Sequence, residues 1–154
     1  MKSRAVRLVH ALGIGLIWMA ALFGVLQLIP YGRTHSNPPI TKEPAWDSAR
    51  TRELAVRACF NCHSNETTWP AYSNIAPLSW VVQHDVDAAR ETVNFSEWNI
   101  KYDLAEVCGS STRDGNMPPA KYRMAHPEAD LTPEETQELA RGLDATIKKT
   151  SSQR

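Results

Sequence analysis

Cys59, Phe60, Asn61, Cys62 and His63 set two thiols three positions apart with an imidazole directly behind them. That spacing is the C-x-x-C-H haem-attachment signature. The two thiols can add across the two vinyl groups on one edge of a haem while the imidazole reaches the iron. A chain with this signature has to fold around a flat, largely apolar cofactor, and its other side chains are chosen to close over it. Other uses of the two cysteines fit less well. Half of a tetrahedral zinc site would need two further ligands at similar spacing, and only Cys108 and scattered histidines remain. A redox dithiol expects a βαβ context, whereas the flanking sequence is helical in pattern. A structural disulfide between residues so close would enclose a very small loop.

The charge balance of zero conceals a segregation. Residues 1–33 carry Lys2, Arg4, Arg7 and Arg33 and no acid, which leaves 13 basic against 17 acidic residues beyond, a net charge of −4. The part after Arg33 is mildly acidic, and no basic patch marks it for nucleic acid. From Leu8 to Ile29 the chain is almost wholly apolar, with His10 near one end and Gln27 near the other, and that length spans a bilayer. A cleavable signal peptide would begin in the same way but would have a shorter apolar core and a small-residue cleavage site, which Pro30, Tyr31, Gly32 and Arg33 do not offer. The expectation is an uncleaved, single-pass anchor. Lys2, Arg4 and Arg7 then hold the amino terminus in the cytoplasm and put everything after Arg33 on the far side of a bacterial cytoplasmic membrane. Haem attachment to C-x-x-C-H in bacteria takes place on that side.

Beyond the apolar segment the pattern predicts an all-α domain. Residues 34–46, with Asn37, Pro38, Pro39 and Pro44, read as a proline-rich extended spacer. The haem-binding domain is expected over 47–149, with 150–154 as a disordered tail. Asp47 is a suitable N-cap for a helix from Ser48 to about Phe60, and Leu54, Ala55, Ala58 and Cys59 form its apolar stripe. Residues 64–77 read as a loop of unusual apolar weight. A second helix is expected from Leu78 to Val93 with Trp80, Val81, His84, Ala88 and Ala89 on one face, and a short third from about Asp103 to Cys108. Arg113 to Pro127 reads as irregular, since helix cannot pass through Pro118 and Pro119. Thr132, Pro133 and Glu135 then give an N-cap, a first-turn proline and a capping box for a terminal helix to about Lys148, with Leu139, Leu143 and Ile147 facing inward.

Haem iron takes two axial ligands, and His63 supplies one. Methionine is a frequent second ligand in c-type cytochromes and raises the reduction potential. Met117, held before Pro118 and Pro119 in a segment that cannot be helical, is the expected partner, and Met124, eight positions before Thr132, is its competitor. His84 and His126 read as structural histidines. Pro77, 14 residues after His63, is a candidate to accept the second ring N–H of His63 through its carbonyl. Trp69, Tyr72 and Trp80 are expected as walls of the haem pocket, and Cys108 as a small buried hydrophobe.

Taken together, the stretch from Cys59 to Trp80, with N-F-S-E-W at 94–98, M-P-P at 117–119, H-P-E-A at 126–129 and E-P-A-W-D at 43–47, resembles the small bacterial haem-binding-domain proteins of the c-type cytochrome class. The resemblance covers nearly the whole exported part. It departs at Ala71, where a bulky aromatic is usual, and between Trp98 and Met117, which is short and carries Cys108. It implies a membrane-anchored, cytochrome c-like domain with one covalent haem c and its iron, and makes Met117 the distal ligand. The implied function is that of an electron carrier, not an enzyme, passing single electrons between redox proteins of the cell envelope. The competing function is a haem-based sensor or ligand-binding module with a labile distal ligand, and a peroxidase-like enzyme ranks last. Oligomeric state has no signature in the sequence.

Overall fold

The computed structural model describes residues 2–98 and 108–151. Among them there are helices and no strand: α1 (Lys2–Leu26), α2 (Ala49–Ala58), α3 (Phe60–His63), α4 (Leu78–Thr92), α5 (Cys108–Arg113), α6 (Ala120–Ala125) and α7 (Pro133–Ser151), with single 3-10 turns at Ala71–Asn74 and Pro127–Ala129. The all-α expectation holds. The chain falls into two compact units, one of Met1–His35 with Pro70–His84 and the other of Ser36–Trp69 with Asp85–Arg154.

In the first unit, α1 contains the 21-residue apolar segment Val6–Leu26, none of it buried and long enough to cross a bilayer. The chain just past the end of α1 is tied down by an amide. Gln27 donates from Nε2 to the carbonyl of Ala76 at 2.9 Å and accepts at Oε1 from the Ala76 N–H at 3.0 Å, so one side chain satisfies both polar groups of one residue. The Arg33 guanidinium donates to the same Gln27 oxygen. Gly32, at φ +78°, lies so close to the Ser79 carbonyl that a Cβ there would collide with backbone, which makes glycine obligatory.

The second unit holds the core. Leu54, Ala55, Ala58, Phe60, Val93, Phe95, Trp98, Leu139, Leu143 and Ile147 form one buried cluster, joined by half-buried Trp46, Cys59, Cys108 and Leu131. Phe95 is its hub. It stacks on Phe60 at 5.6 Å and on Trp98 at 5.9 Å between ring centroids, and Trp46 tilts onto it at 5.3 Å. Helices α2 and α7 approach closely because Gly142 leaves room for the Thr51 side chain, and α5 meets α7 where Gly109 faces Asp144 and the Ala140 carbonyl.

Several boundaries differ from the sequence expectations. Ser48, not Asp47, caps α2, accepting the Thr51 N–H at its hydroxyl, while the Asp47 N–H is engaged by Thr146. Helix α2 stops at Ala58 because Cys59 leaves helical geometry (φ −123°, ψ −37°), so the motif turns on a separate helix. On α4 the buried positions are Ser79 and Val86, whereas Val81 is exposed. Of the helix predicted at 103–108, residues 103–107 lie outside the described residues, and helical structure is seen at Cys108–Arg113. Helix α6 occupies a segment expected to be irregular. Residues 36–46 do not run free: Thr41 donates to the Ser96 carbonyl, Trp98 to the Lys42 carbonyl, and Arg52 chelates Glu43 with two bonds of 2.7 Å.

The capping box at α7 forms as its sequence predicts. Glu135 accepts from the Thr132 N–H and Thr132 Oγ1 from the Glu135 N–H. The same carboxylate receives Arg57 at 2.7 Å and Arg50 at 3.0 Å, joining α2 to α7. The Arg57 hydrogen bond, followed by the Thr132 backbone, holds the Glu135 carboxyl down to about 2. A carboxylate held this low stabilises the fold above its ordinary titration range and loses that contribution as pH falls through its folded value. Glu135→Gln is therefore expected to flatten the stability profile between about pH 4.5 and 2, measured as chemical denaturation midpoints against pH. Leu54, fully buried where α2 meets the core, should cost about 2–5 kcal/mol as Leu54→Ala, read from the same midpoints.

Candidate haem site

The break at Cys59 builds the site. Having donated its N–H to the Ala55 carbonyl at 2.8 Å to finish α2, Cys59 offers its own carbonyl to the N–H groups of Cys62 (3.1 Å) and His63 (2.9 Å), and one new helical turn winds on it. Residues three and four apart share a helical face. Cys59, Cys62 and His63 accordingly line one cavity of about 410 Å³, a size within the roughly 300–1,000 Å³ of small-molecule and cofactor sites.

The far walls come from α4, α5 and the segment after it. Ala88, Ala89 and Thr92 present a low surface on the last turns of α4, where large side chains would obstruct a planar ligand. Val93, Phe95 and Leu143 supply apolar floor, and Cys108 and Thr112 come from α5. Past α5, Gly115 reverses the chain at φ +74°, Asn116 and Met117 both donate to the Ser111 carbonyl, and Met117, Pro118 and Pro119 close the described lining. Among the described residues, two charged side chains reach this cavity, Asp85 and Lys121, and they pair with each other at 2.8 Å.

His63 is oriented by backbone. Its Nδ1 lies 3.1 Å from the Val93 carbonyl, which can only accept, so the ring proton sits on Nδ1 and Nε2 keeps its lone pair. Burial pushes the imidazole pKa down, against the opposing pull of the Val93 and Ala89 carbonyls, so the ring is held neutral, as a metal ligand must be. The Phe95 N–H returns to the His63 carbonyl at 2.8 Å, locking the turn to the end of α4 from both sides. Val93, not Pro77, is thus the acceptor that fixes the ring.

No disulfide joins the three cysteines. Burial, then the neighbouring Cys108 and Cys62, pushes Cys59 up to about 12. Burial followed by Asp85 raises Cys62 to about 11, and burial followed by Asp144 raises Cys108 to about 11. Among the described residues no group of three or more His, Cys, Asp or Glu could hold a metal ion by itself.

Of the two methionines weighed from sequence, Met117 lines the cavity, whereas Met124, on α6 and 86% exposed, is not among the lining residues. His84 is exposed, and His126 is engaged by Glu128 at 3.0 Å and stacked 4.2 Å from the Tyr122 ring. Trp69, Tyr72 and Trp80, expected as further walls, and Pro77, expected as the acceptor, are not among the described lining residues. Trp69 donates its indole N–H to Asn37, and Tyr72, Pro77 and Trp80 belong to the unit that contains α1. Sequence reasoning missed Val93, Phe95 and the Asn61–Tyr122 pair, in which Asn61 donates to the phenol oxygen at 2.8 Å while its carbonyl accepts the Thr68 N–H. Asn61 sits inside the motif and Tyr122 lines the cavity, so this bond ties the motif turn to α6.

Residues 21–145 match the model of the haem-binding domain. The chain belongs to the haem-binding domain family. No match was found among curated proteins or solved structures. A haem-binding domain needs an apolar slot with an iron ligand inside it. The cavity fits: its lining is mostly apolar, the imidazole of His63, held at Nδ1 by the Val93 carbonyl, lines it from one element, and the thioether residue Met117 lines it from another. His63→Ala is expected to abolish stable haem binding and Met124→Ala to preserve it, checked by the Soret absorption of the purified variants.

Proposed function

We propose that this haem-binding domain is a membrane-anchored, single-haem c-type electron carrier. The single observation that carries the reading is that Cys59, Cys62, His63 and Met117 all line one cavity. Cys59 and Cys62 would hold the haem edge through thioethers, and His63, through Nε2, and Met117 would ligate its iron. When bound, the haem supplies a one-electron couple.

The chain's own residues set how that couple behaves. The Val93 carbonyl holds the His63 ring and increases its basicity through the Nδ1 hydrogen bond. Met117, presented by a proline-stiffened segment whose N–H is anchored on Ser111, favours a higher potential than a second histidine would. Phe95, Val93 and Leu143 keep water from the buried side. The Asp85–Lys121 pair offsets its own charge at the rim of the cavity.

The anchor is α1, whose Val6–Leu26 segment is preceded by the basic residues Lys2 and Arg4 and followed by the acidic remainder of the chain. By the positive-inside rule the haem domain then faces the outer side of a bacterial cytoplasmic membrane, where it meets redox proteins of the envelope.

Spectroscopy and mass spectrometry of the full chain, produced with a haem-maturation system, test this reading. A denatured mass that retains the haem, together with a weak long-wavelength band in the oxidised protein, supports it. A mass at that of the bare polypeptide overturns covalent attachment. Met117→Ala should open the iron to carbon monoxide and lower the reduction potential, while Met124→Ala does neither. Rapid carbon monoxide binding by the unaltered reduced protein would instead make the domain a ligand-binding sensor.

A further inference from the structure

The unit built on α1 contains a second apolar region that neither the haem site nor the anchor uses. Residues 70–84 hold no Asp, Glu, Lys or Arg, although the next eight positions, 85–92, hold Asp85, Asp87, Arg90 and Glu91. The change falls part-way along one continuous helix, α4. Its uncharged beginning is not core. Leu78 and Val81 are 50% and 48% exposed, and Ile75, in the extended backbone before α4, is exposed as well. Leu78 and Val81, three apart on α4, share a face and form an apolar stripe turned outward, and Ile75 precedes it. Leu28, Ile29 and Tyr31, also exposed, lie in the same unit.

The position of this stripe along α1 identifies what covers it. The segment Val6–Leu26 has 21 residues, which at the α-helical rise is about 31 Å and uses the full hydrocarbon thickness of roughly 30 Å. Gln27, the first polar side chain after it, then lies at the boundary between hydrocarbon and headgroups. Gln27 is bonded through both ends of its amide to Ala76, and Ala76 sits between Ile75 and the start of α4. The hydrogen bonds that hold the base of α1 therefore hold the stripe at the same depth. Arg33 and His35 are the basic side chains nearby, bonded to Gln27 and Ser73, and they suit a headgroup layer. With no charged side chain over residues 70–84, exposed aliphatic side chains held at this depth can enter the interface without desolvating a charge.

We infer that Ile75, Leu78 and Val81 rest in the lipid interface, so that this protein contacts the bilayer through a second, non-spanning element besides α1. The inference rests on the reading of α1 as an anchor, and the test separates the two. The full chain with p-benzoylphenylalanine in place of Trp18, Leu78, Val81 or Glu138, one at a time, is reconstituted into phosphatidylethanolamine–phosphatidylglycerol nanodiscs, illuminated, denatured and weighed. Retained haem absorption confirms that each variant has folded. Phospholipid adducts at 18, 78 and 81, with none at 138 on the charged face of α7, support the inference. Adducts at 18 without any at 78 or 81 overturn it and leave the anchor standing, while no adduct at 18 overturns both. Adducts of doubled polypeptide mass at 78 or 81 would show that a second copy of the chain covers the stripe, and would also overturn it.

Discussion

His63 donates its ring N–H to the Val93 carbonyl and accepts the Phe95 N–H at its own carbonyl, and this two-way tie between the motif turn and the end of α4 is what the haem cavity depends on. One bond selects the tautomer that leaves the Nε2 lone pair available. The other holds the turn carrying Cys62 against Phe95, the hub of the aromatic column. Without both, the two thiols and the imidazole would still be neighbours in sequence but would have no common direction. A one-turn helix has little stability of its own, since nucleation is costly and its ends are unsatisfied, so tertiary partners must supply it.

The rest of the second unit serves the same end. Helices α2 and α7 pack closely through Gly142 and Thr51, and the Arg50–Arg57–Glu135 cluster sets their register at the surface. Exposed ion pairs contribute little to stability, so the buried leucines and the aromatic column hold the helices together while the charges align them. Residues 36–46 act as a strap across this core, and Arg90 adds to it by donating to Ser64, Ser36, Asn37 and Thr67. The loop that leaves the motif and the chain that enters the domain are thereby gathered on one guanidinium.

Much of the local structure was legible in advance because its causes are local. The Thr132–Glu135 capping box with Pro133 opened α7 as its residues require, and Leu139, Ala140 and Leu143 are buried in it. The apolar segment and the helix after Pro77 were equally plain. Where causes were non-local the reading failed. Asp47 and Ser48 are both good caps, and the choice fell to Ser48 because Thr146, 99 positions away, engages the Asp47 N–H. Helix α6 is too short to show a period. Trp69, Tyr72 and Trp80 advertised burial but not its location, since hydrophobicity has no direction.

Residue order alone determined the chemistry: two thiols and an imidazole at haem-edge spacing, a thioether stiffened by prolines, and a stretch of bilayer length preceded by cations. Those are properties of side chains and of their separation along the chain, and folding cannot change them. Only the tertiary structure decided which carbonyl orients His63, that Met117 and not Met124 reaches the cavity, and that Cys108 lines it. Each of those choices depends on segments tens of residues apart meeting in space, where packing of the whole core, not local preference, selects the neighbour.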